Sequence, residues 1–573
     1  MNNLMRLTCC AALLCSTVAG TAQQVSAVWN PDKGKTYVNP VINADYSDPD
    51  VCRVGNDYYM TSSSFNCFPG LQILHSTDLV NWEIVGAALE DYPGDEWAES
   101  VQHGKAVWAP AIRHHNGEFY IYCGDPDRGI FMVKAKDVRG PWSKPVWVME
   151  GKGFIDPCPL WDDDGRAYLS HGCAGSRAGN KSVLFVAPMS PDGTAVLSRS
   201  RIVYDGHVTQ PTIEGTKFYK RNGYYYIFSP AGGVPTGWQV VLRSKSPFGP
   251  YEERVVMAQG KSPVNGPHQG AWVHTQNGED WFLHFQDKAA YGRVVHLQPM
   301  TWHDDWPVIG IDKDGDGVGD PVMEYAKPDL PSSGNFQPSE SDDFTSPSIG
   351  LQWQWHGIPS PYWSYQNSAE GYLRLYSVQN RPNYRNLSDC PNLLLQKFPA
   401  EDFTATAHVK FVSEPKLDCE SAGFMVMGLD YTALRIEDTG HGICLKRVTC
   451  TDALDGTRET VEDSVMLDAE ALPRAYSEKY FAPKMEKTEF MTLYSTELWM
   501  RLKVEGRPLP NGLKSVHCRM YYSTDGKKFK ALGREFTAQP GKWIGAKMGF
   551  FSTRTQLNND SGWLQVEDFV VGK

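Results

Sequence analysis

Five segments of the chain resemble one another, and this repeat limits the possible folds more than any other feature. Each unit has a short β-rich run, a tight turn containing Gly, Asn or Asp, and an aromatic-rich run, which is the pattern of a β-hairpin. The spacing of the unit starts matches a four-stranded blade, so the repeat predicts a five-bladed β-propeller over residues 35–325. The units begin at Asp48, Ala109, Asp156, Glu214 and His268.

Three of the five unit starts are acidic: Asp48, Asp156 and Glu214. In a propeller the innermost strand of each blade lines the central channel, so these side chains are expected to converge on one axis. Taken singly, each has a simpler explanation, because Asp-Pro pairs are common in turns and a lone Glu is usually a solvated charge. Their shared place in the repeat favours a common site.

The rest of the chain is predicted to be β-structure as well. Residues 326–341 are rich in Pro, Ser and Gly and predict a linker. From residue 342 to 573 apolar and polar residues again alternate with a period of two, for example in Thr404–Val412 and Trp499–Val504. This favours a single concanavalin-like (jelly-roll) β-sandwich, so the expected fold class is all-β.

The first 22 residues have the pattern of a signal peptide. Arg6 precedes an apolar stretch, Leu7–Ala19, that is too short to span a bilayer, and Gly20–Ala22 offers small residues for cleavage. The alternative is an uncleaved N-terminal helix. No later stretch is long and apolar enough to cross a membrane. We therefore expect an exported protein, periplasmic or secreted, that does not span the membrane.

Charge and cysteine content exclude several classes of function. The net charge of −12 argues against nucleic acid and anionic lipid as partners. None of the 13 cysteines forms a Cys-x-x-Cys pair, which excludes zinc-ribbon and thioredoxin-type sites. We expect most cysteines to be small buried hydrophobic residues. The sequence leaves the oligomeric state open.

Three carboxylates on one axis suit the hydrolysis of an acetal. This reaction needs one group to protonate the leaving oxygen and another to activate water or attack the sugar. A third carboxylate raises the pKa of the acid by like-charge repulsion. The residues alone therefore indicate a glycosidase, and a non-catalytic carbohydrate-binding propeller is the alternative.

Several longer motifs make the sequence resemble glycoside hydrolase family 43, the β-xylosidases and α-L-arabinofuranosidases. The similarity covers the chain after the signal peptide, because the second half resembles the sandwich appended to the β-xylosidase-type members. The motifs that carry it are Tyr46–Arg53, Tyr58–Phe65, Phe68–Gly70, His75–Trp82, Val107–Pro110, Phe154–Pro157, Ile213–Gly215 and His268–Trp272.

The resemblance implies a role for each acid. Asp48 corresponds to the general base that activates water, Glu214 to the general acid, and Asp156 to the residue that raises the pKa of the acid and holds it in place. It implies inversion of the anomeric centre, with base and acid about 6.5–9.5 Å apart. Asp50 stands where other family members often carry Ser, and Thr216 stands where they often carry Pro. Neither position takes part in the proton transfers.

The resemblance also implies substrate contacts and a substrate class. Arg293 corresponds to an Arg that contacts sugar hydroxyls and the carboxylates, and Phe65 and Trp108 correspond to aromatic residues that shape the subsite for the terminal sugar. Packing within the blades is the alternative for both aromatic residues. The expected reaction is exo-acting release of a terminal pentose, L-arabinofuranose or D-xylose, from plant cell-wall glycans. A sialidase would need an Arg triad that the sequence does not support.

Two places in the sequence are candidates for a structural calcium ion. His268 resembles a family His that helps to hold calcium with water at the channel centre, and a hydrogen-bonded core His is the alternative. The second candidate, Asp312, Asp314 and Asp316 with Gly317, has the spacing of an EF-hand loop. Its twelfth position is Met323 rather than Glu, and an Asp- and Gly-rich β-turn is the alternative.

Overall fold

The computed structural model describes residues 25–332, 334, 336–414, 417, 420–477 and 488–573. The predicted signal peptide lies outside these residues. Helices are few and short, and none in the described part of the chain has the length and apolarity needed to cross a bilayer. The helical segments are Glu96–Glu99 and Gly175–Ala178, with 3-10 turns at Ala289–Tyr291, Leu387–Asp389 and Ala453–Asp455.

The first half of the chain is a five-bladed propeller, and each blade is a four-stranded antiparallel sheet whose strands follow one another in chain order. The blades consist, in order, of Asp50–Val54, Asp57–Thr61, Gly70–Ser76 and Glu83–Leu89; Trp108–His115, Glu118–Asp125, Gly129–Ala135 and Val146–Glu150; Phe154–Trp161, Ala167–Cys173, Val183–Met189 and Arg201–Asp205; Lys217–Arg221, Tyr224–Ala231, Trp238–Ser244 and Glu252–Met257; His268–His274, Asp280–Asp287, Arg293–His303 and Trp306–Ile309.

The turns between the first two strands of a blade explain why the repeat folds into hairpins. In blades 2 and 4 the connection is a two-residue Asn-Gly loop, at residues 116–117 and 222–223. Both residues of each loop have a positive φ, between 50° and 79°. This is the type I′ turn whose twist matches that of the flanking strands. The tight turn sets the register, so the apolar residues of each hairpin face the neighbouring blades.

The ring of blades closes without a shared strand. A buried cluster that includes Tyr58, Leu74, Leu283 and Val295 packs blade 5 against blade 1. A short pair of strands, Thr36–Val38 with Glu324–Ala326, joins the two ends of the propeller chain. The strands that begin each blade lie next to one another around the axis, so their first residues meet at one end of the channel.

The second half is a sandwich of two antiparallel-rich sheets around one apolar core. Together with the propeller it confirms the predicted fold class. The first sheet contains Gln354–Trp355, Leu394–Lys397, Lys547–Arg554, Ser421–Met427, Tyr431–Asp438, Ile443–Cys450 and Thr460–Leu467, with Val378–Gln379 beside it. The second contains Ser364–Asn367, Tyr372–Tyr376, Trp563–Gly572, Phe403–Val412, Thr488–Pro508, Lys514–Ser523 and Lys530–Ala531, with Glu470–Ser477 and Phe536–Ala538 beside it.

The sandwich is fastened to the propeller by backbone hydrogen bonds. Phe68 and Trp355 exchange two of them, at 3.0 and 2.6 Å. The segment predicted as a linker is packed rather than free, since Phe336 and Glu340 are buried. The carboxylate of Glu340 accepts a hydrogen bond from the backbone N–H of Ala27 at 2.6 Å. The two domains are therefore joined by direct hydrogen bonds and by a packed connecting segment.

The described cysteines agree with the sequence-based expectation. All nine are buried, and none of these nine is in a disulfide.

Candidate active site

One backbone feature recurs at the start of every blade and builds the site. A residue with left-handed φ, between 38° and 65°, precedes or begins each innermost strand. Such backbone is costly for most non-Gly residues and is concentrated at functional sites. In the sequence repeat, Glu214 occupies the same place as Asp48 and Asp156. In the structure it does not, because the left-handed residue of blade 4 is the next residue, Gly215. The five left-handed residues are Asp48, Ala109, Asp156, Gly215 and Gln269.

Asp48 is held by three donors. Its Oδ2 accepts hydrogen bonds from the hydroxyls of Ser47 at 2.9 Å and Ser63 at 2.5 Å. Arg293 Nη1 lies 3.4 Å from its Oδ1. Ser63 is fixed in turn, because its Oγ accepts the backbone N–H of Ala109 at 2.7 Å. The carboxylate is 6 % exposed and therefore has one defined orientation at the channel mouth.

Asp156 is bound to the backbone next to Glu214. Its Oδ2 accepts the N–H of Gly215 at 2.7 Å, and its carbonyl accepts the hydroxyl of Thr216 at 2.8 Å. Gly215 has φ +65°, and a Cβ there would lie 2.7 Å from the ring of Pro230, so only glycine fits. Burial and the negative charge of Asp48 raise the pKa of Asp156, and the hydrogen bond from Gly215 opposes this rise.

Glu214 is the most solvent-accessible of the three acids, with a side chain 35 % exposed. Burial, followed by the negative charges of Asp156 and Asp48, raises the pKa of its carboxyl group, and the charge of Arg293 opposes the rise. Because water reaches the side chain, solvent moderates the size of this shift. The direction is the one that a proton donor needs, since the group keeps its proton at a higher pH than an ordinary Glu.

The predicted contact residues lie around the acids. Arg293 is 8 % exposed, and its Nη1 donates to Ser47 Oγ at 2.7 Å. Phe65 and Trp108 form an edge-on pair with ring centroids 6.3 Å apart. Phe65 is buried at 3 % exposure, so it supports the wall, whereas Trp108 is partly exposed.

Sequence reasoning missed one aromatic residue at the mouth, Trp543 from the sandwich. Its ring lies 6.1 Å from that of Trp108 and 6.0 Å from the guanidinium carbon of Arg293. It is 47 % exposed. Its loop is anchored to the propeller, because Gly545 N–H donates to Asp45 Oδ2 at 2.8 Å while Asp45 Oδ1 accepts the N–H of Arg293. Nothing in the local sequence distinguishes Trp543 from a core Trp, because only the domain contact brings it here.

His268 lies at the channel, beside Glu214. It is 1 % exposed, and its Nε2 is 3.8 Å from Glu214 Oε1. Neither ring nitrogen has a hydrogen-bond partner among the described residues. Burial and the charge of Arg293 lower the pKa of His268 to about 3, so the imidazole is neutral at ordinary pH. A buried pair of unpaired nitrogens indicates a polar partner in the channel.

The Asp312–Asp316 loop does not join this site, because it follows the outermost strand of blade 5. The carboxylates of Asp312, Asp314 and Asp316 have oxygens within 4.8 Å of one another. Asp312 already accepts the backbone N–H groups of Gly315 at 2.7 Å and Gly317 at 2.9 Å. The loop is therefore closed by hydrogen bonds from its own backbone.

Comparison with known proteins identifies the family. Residues 37–307 match the model of glycosyl hydrolases family 43, and residues 341–571 match the β-xylosidase C-terminal concanavalin A-like domain. A β-xylosidase of Formosa agariphila is 31% identical, with 96% of this chain and 92% of that protein covered. The chain belongs to glycoside hydrolase family 43. It is therefore a glycosidase.

Two further relatives of this family 43 enzyme span both domains. The non-reducing end α-L-arabinofuranosidase of Bacteroides ovatus is 34% identical over 74% of this chain and 80% of its own. The solved structure of a xylan β-1,4-xylosidase from Bacillus halodurans has a TM-score of 0.76, with 94% of this chain and 100% of that chain covered. At 22% identity, this second likeness concerns the fold alone.

Proposed function

We propose that this enzyme releases a terminal pentose, L-arabinofuranose or D-xylose, from plant cell-wall glycans with inversion of the anomeric centre. Asp48 is the general base, Glu214 the general acid, and Asp156 the residue that tunes and holds the acid. The proposal rests on one observation, which is the contrast between Asp48 and Glu214 at the same channel mouth. Asp48 is fixed by hydroxyl and guanidinium donors, while the pKa of Glu214 is raised by burial and like charge.

The proposed reaction is a single displacement. Asp48 accepts a proton from water as that water attacks the anomeric carbon, and Glu214 donates its proton to the departing glycosidic oxygen. Arg293 prevents the carboxylate of Asp48 from turning away, because it bonds both to Ser47 and to that carboxylate. After each turnover Asp48 returns its proton to solvent and Glu214 recovers one.

The exo mode of action is supported by the position of the sandwich. Trp543 lies beside Trp108 and Arg293, so the sandwich adds one wall at the channel mouth. A pocket accepts a chain end, whereas an open cleft accepts the interior of a polymer. The relatives are a β-xylosidase and a non-reducing end α-L-arabinofuranosidase, and these activities supply the two candidate sugars.

The test combines release assays with stereochemistry. The 4-nitrophenyl glycosides of α-L-arabinofuranose and β-D-xylopyranose rank the two sugars, and xylo- and arabino-oligosaccharides show whether single sugars leave from one end. Proton NMR of the first product formed gives its anomeric configuration. Random internal cleavage would refute the exo assignment, and a first product of retained configuration would refute the roles of Asp48 and Glu214.

We propose calcium as a structural ion of the channel, held by His268 together with water. Calcium prefers six to eight oxygen ligands, so one imidazole nitrogen cannot hold it without a shell of water. The unpaired nitrogens of His268 fit this arrangement, and the ion would supply positive charge near the carboxylates. The measurement is the melting temperature after chelation and after added calcium. A calcium-dependent rise that His268→Ala loses and Asp314→Asn keeps supports the channel site, and the reverse assigns the ion to the Asp312–Asp316 loop.

We propose that the protein is exported. The support is the signal-like sequence of residues 1–22, which precedes the described residues. Fractionation of a bacterial host that expresses the full chain tests this, with N-terminal sequencing expected to begin near Gln23. Full-length protein retained in the cytoplasm would refute it.

A further inference from the structure

A second layer of side chains lies behind the catalytic carboxylates. The residues two places after the left-handed positions all lie in the innermost strands and form this layer. Every member is fully buried, with 0 % exposure. The members are Asp50, Ala111, Cys158, Lys217 and Ala271.

Two of these residues belong to a buried cluster of charges. Asp50 Oδ2 accepts hydrogen bonds from Arg113 Nη1 at 2.6 Å and from the N–H of Ile112 at 2.7 Å. Lys217 Nζ donates to the carbonyl of Pro110 at 2.7 Å and lies 3.8 Å from Asp50 Oδ1. The cluster thus contains two cations, Arg113 and Lys217, and one carboxylate, Asp50. The carboxylate lies closer to Arg113 than to Lys217.

The excess positive charge needs a counter-charge, because a buried ion without a close partner is costly. Asp156 is a second buried carboxylate that the chain links to this cluster. Lys217 begins the strand Lys217–Arg221, two residues after Gly215, and the N–H of Gly215 donates to Asp156 Oδ2 at 2.7 Å. Burial raises the pKa of Asp156 overall, and the charge of Lys217, like the Gly215 hydrogen bond, opposes that rise.

We propose that Lys217, anchored by Asp50 and the carbonyl of Pro110, is a positioning residue whose buried charge keeps Asp156 negative behind Glu214. The inference rests on the proposed roles of Asp156 and Glu214. Without Lys217, Asp156 would take up a proton, and Glu214 would lose the charged neighbour that prepares it for proton donation. Asp50, where other family members often carry Ser, is then part of the device that places this lysine.

The experiment compares substrates that differ in their need for an acid. A 2,4-dinitrophenyl glycoside has a leaving group that departs without a proton, whereas a disaccharide of the same sugar needs one. For Lys217→Met, we expect kcat/KM to fall about 10-fold on the disaccharide, which is a fraction of the 10²–10⁴-fold that a general acid contributes. On the dinitrophenyl glycoside kcat/KM should stay near the native value. Lys217→Gln, which retains a donor for Pro110, should behave in the same way and replaces Lys217→Met if that variant does not fold.

Two further variants make the result decisive. Cys158→Ala changes the same layer at equal burial without changing its charge, and it should affect both substrates equally. Glu214→Gln measures the proposed acid itself. If Glu214→Gln distinguishes the substrates and both Lys217 variants do not, the inference about Lys217 is wrong. If Glu214→Gln also fails to distinguish them, the proposed function of Glu214 is wrong.

Discussion

Replacement of Trp543 by Ala tests whether the sandwich takes part in substrate binding. The side chain is 47 % exposed at the channel mouth, close to Trp108 and Arg293. An aromatic face exposed beside Trp108 and Arg293 is suited to pack against the apolar face of a sugar ring. Because so much of the ring is solvent-exposed in the free enzyme, its removal should cost little folding stability.

The structure gives the size of the expected effect. A Trp side chain has about 150–250 Å² of surface to bury, so 47 % exposure leaves roughly 70–120 Å² free. If a bound pentose covers half of this area, the contact is worth about 1–1.5 kcal/mol at about 25 cal/mol per Å². That free energy corresponds to a loss of roughly 5- to 12-fold in kcat/KM.

The assay is steady-state hydrolysis of the preferred 4-nitrophenyl glycoside and of the matching oligosaccharides. The loss should appear mainly in KM, because the contact is made to the sugar before and during the reaction. Tyr365→Ala is a matched control, since Tyr365 also belongs to the sandwich and is 48 % exposed. It should leave both kcat and KM unchanged.

Two results would refute this reasoning. Unchanged kcat/KM for Trp543→Ala would mean that the substrate does not reach the sandwich loop. A fall in melting temperature of many degrees, with activity restored on cooling, would mean that Trp543 acts through the domain interface instead.

Three other predictions concern the carboxylates. Asp48→Asn and Glu214→Gln should each lower kcat on a disaccharide by at least about 10²-fold with little change in melting temperature, since each removes a proton-transfer group. Activity should persist to a higher pH than the pKa of an ordinary Glu would allow, and it should fall as the pH rises through the raised pKa of Glu214, because only the protonated form donates. The residual activity of Glu214→Gln should not show this fall at alkaline pH. Ser63→Ala removes a hydrogen bond to the Asp48 carboxylate that is worth about 1.5–3 kcal/mol. It should lower kcat by about 10- to 100-fold without a comparable loss of stability. An unchanged kcat would show that Ser47 and Arg293 orient Asp48 on their own.

Much of the fold could be predicted from the sequence, because the relevant signals are local. Tight turns that contain Gly, and alternating strands, recur in each unit, so the hairpins and the number of blades follow from the repeat. The three acids could be placed near one axis for the same reason. The position of each acid relative to the left-handed residue of its blade could not be predicted. In blade 4 the left-handed residue is Gly215 rather than Glu214, and a comparison of residue types does not show the backbone φ.

The features that escaped prediction depend on contacts between distant segments. Trp543 reaches the site only because Gly545 bonds to Asp45, 500 positions earlier in the chain. The buried partners of Asp50 and Lys217 come from another blade, Arg113 and the carbonyl of Pro110. Residue types alone show such positions as ordinary charges or core aromatic residues, and no periodicity marks them.

The position before each left-handed residue shows how a repeated backbone supports unlike chemistry. In the five blades this position holds Ser47, Trp108, Ile155, Glu214 and His268. One backbone geometry therefore presents a hydroxyl that holds the base, an aromatic wall, the proposed acid and a buried imidazole around a single mouth, and in blade 3 the position holds a buried apolar residue. The propeller supplies the geometry five times, and substitution at this position and at the left-handed position, which holds Asp48 and Asp156, supplies the function. Since the wall opposite these residues comes from the sandwich, changes in the loop around Trp543 can alter which sugar chains enter without disturbing the acids.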